Sequence, residues 1–231
     1  ELKIMDFVVS KIKPTDEKFN IIDTSMYEIS QVLGMKRSGR TYSQLATNLN
    51  DLRKKDVFIY NDEERSVTMT GWLETAKVWE NGKVQIRINE DFAPYLLQLR
   101  GNYTQHLLVD TVQLNSRYSI LVYKLMREAD KDYSSKITIL SGTPEEFKEW
   151  LGAPESYTFN SLKTQVLQKA IDEINLKIED MDLELLTAKR GRQVVKVEIH
   201  NNFIHQKNNS SDNEDSELEP KVPLFNWLEK Q

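Results

Sequence analysis

The sequence predicts an α+β fold: two winged helix-turn-helix domains in tandem, with a flexible acidic C-terminal tail. Three observations carry this. The order helix, short strand, two helices, β-hairpin occurs twice within 231 residues. Matching residues in the two copies stand at nearly constant offsets. After residue 205 the composition turns polar and acidic, the signature of a segment that builds no core of its own.

In the first copy, Leu2 to Ile12 has apolar residues at Ile4, Phe7, Val8 and Ile12, the spacing of an amphipathic helix. Phe19 to Ile22 is a short extended run. Ser25 and Glu28 have the spacing of a capping box, in which Ser accepts a backbone N–H and Glu reaches back. The helix they open carries Ile29, Val32 and Leu33 and stops at Gly34. A second helix, Thr41 to Lys55, has the stripe Tyr42, Leu45, Leu49 and Leu52. Val57–Tyr60 and Val67–Thr70, joined by Asn61 to Arg65, read as a hairpin.

The second copy opens with Tyr118 to Arg127, with Leu121, Val122, Leu125 and Met126 on one side. Lys136–Leu140 is a strand. Thr143, Pro144 and Glu146 combine a cap, proline at the first helical position and the reaching carboxylate. Phe147, Trp150 and Leu151 form the stripe of that helix, and Gly152 ends it. Phe159 to Leu176 follows, with Phe159, Leu162, Val166, Ala170 and Ile174 at spacings of three and four. Ile178–Leu186 and Val194–His200 form a hairpin around Lys189, Arg190, Gly191 and Arg192. Glu28, Ile29, Val32, Leu33 and Gly34 match Glu146, Phe147, Trp150, Leu151 and Gly152 at an offset of 118. Tyr42, Leu45, Thr47 and Leu49 match Phe159, Leu162, Thr164 and Val166 at 117. A repeat of this kind is a tandem fold.

Between the copies, Lys83–Asn89 alternates as a half-buried strand and Phe92–Leu99 reads as a short helix. Gly101-Asn102 is the expected boundary, so the domains are 1–101, 102–205 and a tail 206–231. Within the tail, Leu224, Phe225, Trp227 and Leu228 form an apolar peptide suited to docking on a partner or on the body of the protein.

The net charge is -5, which by itself disfavours a nucleic-acid binder. Charge acts over about 8 Å in physiological salt, so position decides. Residues 1–108 are neutral, 109–206 carry -2 and 207–231 carry -3. Lys36 to Lys55 holds a net +5 and Lys189 to Lys196 a net +4. The helix Phe159–Leu176 turns Ser161, Thr164, Gln165, Gln168 and Asp172 away from its apolar stripe. Hydroxyls and amides of this kind suit base edges in the major groove. Lys163 flanks its first turn, where a phosphate is favoured. The tip residues Lys189, Arg190 and Arg192 suit phosphates or a minor groove. In the first copy, Lys36, Arg37, Arg40, Ser43, Gln44, Thr47 and Lys54 form a comparable face. Its hairpin tip, Asp62, Glu63 and Glu64, has the wrong sign for a DNA wing. The second copy is therefore expected to be the main DNA reader. The first is expected to be a weaker reader, a dimerisation surface, or both.

Other chemistries are disfavoured. There is no cysteine, so disulfides, thiol catalysis and cysteine metal sites are excluded. No phosphate-binding G-x-x-x-x-G-K-[ST] loop occurs. His200 and His205 lack the spacing of a nicking metal pair. Glu179, Asp180, Asp182 and Glu184 read as a solvated strand face rather than a nuclease site. No cofactor, metal or catalytic residue is expected, and no run is long and apolar enough to span a membrane. The first residues form no apolar leader, and the expected setting is the cytoplasm.

Leu114 to Leu125, as L-N-S-R-Y-S-I-L-V-Y-K-L, resembles the L-x-S-x-Y-S-x-x-L-Y-x-L signature of the second domain of plasmid initiator replication proteins. Val122 stands where leucine is usual. Phe159 to Lys163, with Val166, Leu167, Ala170, Ile171, Glu173 and Ile174, is similar to that family's recognition helix. Lys189 to Arg192 is similar to its K-x-G-R wing. The resemblance covers about residues 1–205. It implies two winged-helix domains that bind direct repeats (iterons) of double-stranded DNA at a plasmid origin. It further implies opening of adjacent A·T-rich DNA, recruitment of a host initiator and helicase-loading proteins, and an equilibrium of homodimer and monomer. Two other readings fit the residues: a tandem winged-helix transcriptional repressor, and a protein-interaction scaffold that binds no DNA.

Overall fold

The computed structural model describes residues 1–12, 21–61, 64–92, 106–130 and 137–203. It contains two hydrophobic cores, each enclosed by helices and a three-stranded antiparallel sheet.

The first core begins with α1 (Leu2–Ser10), which buries Ile4, Phe7 and Val8. Strand β1 (Ile22–Ser25) leads into α2 (Met26–Val32) and α3 (Gly39–Arg53). Along β1, Ile22 and Thr24 turn inward, while Phe19 and Asn20 of the expected run lie outside the described residues. Ser25 caps α2 by accepting from the Glu28 amide at 3.1 Å. The capping box is only half formed. The Glu28 carboxylate is taken by Lys11 and by the Thr24 hydroxyl at 2.6 Å instead of returning to Ser25. Helix α3 buries Leu45, Leu49 and Leu52, the predicted stripe.

The β-structure of this domain differs from expectation. Among the described residues, strands β2 (Asp56–Asn61) and β3 (Ser66–Gly71) pair only with each other. The three-stranded sheet has the order β1-β5-β4, from β4 (Leu73–Val78) and β5 (Lys83–Ile88). In the second domain β6 (Thr138–Gly142), β7 (Leu183–Arg190) and β8 (Gln193–Asn201) have the order β6-β8-β7. The counterpart of the second wing is therefore β4–β5. The ribbon β2–β3 is an insertion after α3, so the expectation drawn from Asp62, Glu63 and Glu64 does not bear on the first wing; Asp62 and Glu63 lie outside the described residues. Strand β4 escaped notice because only Leu73 is buried along it and a bulge interrupts its register after that residue.

Helix α4 (His106–Gln113), also not anticipated, places Leu108 in the first core. Helix α5 (Arg117–Ala129) opens the second. Its N-cap, Ser116, accepts from the Tyr118 amide at 3.2 Å. Arg117 donates to the Leu151 and Gly152 carbonyls, at 3.2 and 2.6 Å, where α6 (Pro144–Leu151) ends. The signature Ser-Arg pair thus caps two helices. The α6 capping box is complete: Glu146 N donates to Thr143 Oγ1 at 3.2 Å, and Thr143 N to Glu146 Oε2 at 2.7 Å. Gly34 and Gly152 end α2 and α6 with φ of 64° and 56°, a region that favours glycine.

Helix α7 comprises Phe159–Ser161, a π-helical turn Leu162–Leu167, and Gln168–Lys177. The wider turn lets Val166 and Leu167 both enter the core, together with Leu162, Ala170, Ile171 and Ile174. Strand β7 starts at Leu183, not Ile178. Asp180 and Asp182 therefore lie before the strand and do not share a strand face with Glu184. Asp180 instead receives a hydrogen bond from Arg127 at 2.6 Å.

The two domains touch through α1 and α4. Leu2 packs against the second core, and Lys3 Nζ donates to the Val112 carbonyl at 2.8 Å. Lys124 of α5 pairs with Asp6 of α1, whose residue is 3% exposed. Tyr123 donates to Asp110 of α4 and accepts from Arg127 Nε at 3.0 Å. Burial and the neighbouring Asp110 push the Tyr123 phenol above its ordinary range.

Candidate nucleic-acid interface

Helix α7 lies over the second core on one side and in solvent on the other. Lys163, Thr164, Gln165 and Gln168 are exposed, and Ser161 is half-buried. Thr158 caps the helix, accepting from Ser161 N at 3.2 Å. Thr164 Oγ1 donates back to the Asn160 carbonyl at 2.9 Å. Tyr157 donates to Gln165 Oε1 at 3.3 Å, and Gln168 Nε2 donates to Asp172 Oδ1 at 2.9 Å. Asn160 and Lys169 are also exposed on this helix. Both are polar residues next to predicted ones, and their residue type was the only sequence signal that could have found them.

The wing β7–β8 projects beyond its sheet. Strand β6 pairs with β8 only from Val197 to Asn201, whereas β7 and β8 remain paired out to Arg190 and Gln193. Gly191, with φ of 65°, makes the tight turn possible. Lys189, Arg190 and Arg192 are exposed on this ribbon. Among the described residues none of them has an acidic partner, whereas Lys196 pairs with Glu198 at 2.7 Å.

The first domain's face is built on α3 and the turn before it. Lys36, Arg37, Arg40, Ser43, Gln44, Thr47 and Lys54 are all exposed. Ser38 caps α3 through Thr41 N at 3.1 Å, and Thr41 Oγ1 donates to the Lys36 carbonyl at 2.7 Å, which holds the basic turn against the helix start. Arg37 lies over the Tyr27 ring, 5.4 Å from its centroid. Thr47 repeats the back-bonding of Thr164, donating to the Ser43 carbonyl at 3.0 Å. Gln44 Nε2 donates to Asn48 Oδ1 at 3.1 Å. Lys55, in the same cluster, is taken by Glu1.

The base of α7 is clamped to the junction between the domains. Glu173 accepts from the amides of Asn115 at 2.7 Å and Ser116 at 3.1 Å, and from Lys177 at 2.6 Å. Burial alone would raise its carboxyl. Hydrogen bonds from Lys177 and the two amides outweigh that and hold it at about 2. Lys177 also reaches the Gln113 carbonyl at 2.9 Å. The tail residues Leu224, Phe225, Trp227 and Leu228 lie outside the described residues, as do His205, the segment 93–100 and Gly101-Asn102. Among the described residues, no three His, Asp or Glu side chains are grouped to hold a metal, and no helix is long and apolar enough to cross a membrane.

Two helix-turn-helix units with equivalent three-stranded sheets, one bearing a projecting basic wing, define a tandem winged-helix protein. Residues 1–127 match the family described as "Initiator Replication protein, WH1", and residues 143–201 the one described as "Initiator Rep protein, WH2". The chain belongs to the initiator replication protein family. It is 26% identical over 172 residues to the PI protein of Escherichia coli, an alignment covering 67% of this chain and 54% of that protein. The chain thus spans about half the length of this relative. In fold it resembles the crystal structure of Pi initiator protein in complex with iteron DNA, with a TM-score of 0.70 and 18% identity. That match covers 88% of this chain and 90% of the other. A structure of RctB domains 2-3 is more distant, with a TM-score of 0.51 and 10% identity, covering 87% of this chain and 80% of that one.

Proposed function

We propose that this chain is a sequence-specific DNA-binding initiator of plasmid replication, which binds direct repeats at an origin and recruits host replication proteins. It acts by binding and assembly, without catalysis. The observation that carries the reading is the pairing, in the second domain, of an exposed amide and hydroxyl row on α7 with a projecting wing of unpaired cations. The first reads base edges and the second grips phosphates. Family membership, and the iteron DNA bound by the Pi initiator protein of similar fold, support the same assignment.

In this reading Ser161, Lys163, Thr164, Gln165 and Gln168 enter the major groove, while Lys189, Arg190 and Arg192 hold the backbone. Lys36, Arg37, Arg40, Ser43, Gln44, Thr47 and Lys54 supply a second contact. The first domain (1–101) also takes part in a homodimer–monomer equilibrium. The tail peptide at Leu224, Phe225, Trp227 and Leu228 meets a host initiator or helicase-loading protein. The setting is the bacterial cytoplasm, on the plasmid.

The test is a footprint of the full chain across the region upstream of its own gene, with gel shifts on direct repeats of roughly 20 bp, about two helical turns. Protection repeating at that interval is expected. Gln165→Ala should relax preference at one base pair by about 1–3 kcal/mol. Uniform, sequence-independent protection would overturn the reading.

A further inference from the structure

Two glutamines on the candidate reading helices are held by residues four positions on, but by different chemistry. On α7, Gln168 Nε2 meets a carboxylate oxygen of Asp172 at 2.9 Å. An ionised carboxylate only accepts, so only the nitrogen end of the Gln168 amide can face it. On α3, one turn nearer the start of its helix, Gln44 Nε2 meets the amide oxygen of Asn48 at 3.1 Å. An Asn amide offers an acceptor and donors at nearly the same shape, so if both amides turn over the contact survives with its polarity reversed. Gln168, Asp172 and Gln44 are exposed and Asn48 is half-buried, so no core packing restrains either pair.

We infer that Asp172 sets the polarity with which Gln168 meets a base, whereas Asn48 leaves Gln44 free to present either end. This rests on the proposed binding of DNA through α7 and α3. With its nitrogen committed to Asp172, Gln168 offers its carbonyl oxygen, with one N–H to spare. In the major groove an acceptor selects the bases that donate there, adenine through N6 and cytosine through N4, over guanine and thymine. Gln44 carries no such bias and accepts any edge that completes one hydrogen bond. Asp172 is a positioning residue: its charge repels the DNA backbone, and what it provides is the fixed amide.

The probe is the full chain with a DNA duplex enriched from a random-sequence library, then a set of duplexes in which each base pair is replaced in turn by the other three. Gln168→Ala identifies the position that Gln168 reads as the one whose preference flattens. At that pair, removing the amino donor, with purine in place of adenine or 2-pyrimidinone in place of cytosine, should flatten the wild-type preference. Asp172→Asn keeps size and hydrogen bonding but removes the lock. It should reduce discrimination there by about fivefold, between the roughly twofold of an exposed helix pair and the roughly tenfold of a charge-assisted bond. Loss of the negative charge should also tighten binding uniformly to all the duplexes. Asn48→Asp, the reciprocal change, should create new discrimination at one position that flattens with Gln44→Ala. Unchanged preference in Asp172→Asn, or wild-type binding that does not weaken when that amino group is removed, would overturn the inference while leaving DNA reading intact. Failure of the library to enrich any sequence would overturn the proposed function and this inference together.

Discussion

The two domains share a sheet order and a helix pair, yet they project different things into solvent. The second domain extends its wing β7–β8 past the sheet edge and lines it with cations. The first ends its β4–β5 turn at the sheet, where the Gly82 carbonyl accepts from Met26 N at 2.8 Å and Ser25 pairs with Lys83. It projects the inserted ribbon β2–β3 instead. Phe58 opposes Met69 and Tyr60 opposes Val67 on one face of that ribbon, and all four are exposed. One fold thus carries a basic edge in one copy and an apolar face in the other. The difference shows that the position of a hairpin in the chain does not identify it as a wing; its strand partners do.

The largest effect that tests this division is on stability. Phe147 is wholly buried in the second core, with its ring 5.1 Å from that of Trp150. Phe147→Ala should cost about 3–5 kcal/mol. If the domains are separate cooperative units, hydrogen exchange should speed in α6 and α7 while the β1-β5-β4 sheet keeps its protection. Equal loss in both cores would mean that the contacts through Asp6, Lys124, Asp110 and Arg127 make one unit of two.

The second prediction concerns the projecting elements. Arg190→Ala combined with Arg192→Ala should flatten the dependence of log K on log salt by about two units, because each lost phosphate contact removes about one. Tyr60→Ser on the ribbon should leave that slope unchanged. An equal change from Tyr60→Ser would place the ribbon on DNA and undo the distinction between them.

Much of this was readable because it is local. A cap, a proline and a glycine bracket α6 between Thr143 and Gly152, and the stripe of α3 follows its own period. Strand β4 was not readable: Glu74, Thr75 and Lys77 face solvent, which leaves little alternation to see. Helix α4 is held by its contact with α1, about a hundred residues away in sequence. The candidate surface was legible as residue types, since exposed amides and cations are visible in any periodic helix. Its fine geometry was not, because the π-turn is a backbone response to packing Val166 beside Leu167. The Glu173 clamp joins residues 57 and 58 positions apart.

The helix caps sharpen the comparison at smaller scale. In α6 the Thr143 hydroxyl and the Glu146 carboxylate satisfy each other's backbone, whereas in α2 the partner carboxylate is diverted to Lys11 and Thr24. Thr143→Ala should therefore cost about 1–2 kcal/mol and Ser25→Ala about 0.5–1 kcal/mol, read from urea unfolding. A reversed order would show that the contacts of Glu28 with its neighbours depend on the Ser25 cap.

An effect of similar size concerns the Glu173 clamp at the base of α7. Glu173 is held at about 2 when folded, below its ordinary 4.5, because its ionised form gathers Lys177 and two backbone amides despite partial burial. The folded state therefore favours the ionised form more than the unfolded chain does. The stability this contributes is complete above about pH 4.5 and is lost as the pH falls toward 2. Glu173→Gln keeps an acceptor oxygen but removes the charge, so it should cost about 1 kcal/mol at neutral pH. The gap in unfolding temperature between the wild type and this variant should narrow steadily below pH 4.5 and close near pH 2. A gap independent of pH would mean that Glu173 holds the connector by its shape rather than its charge.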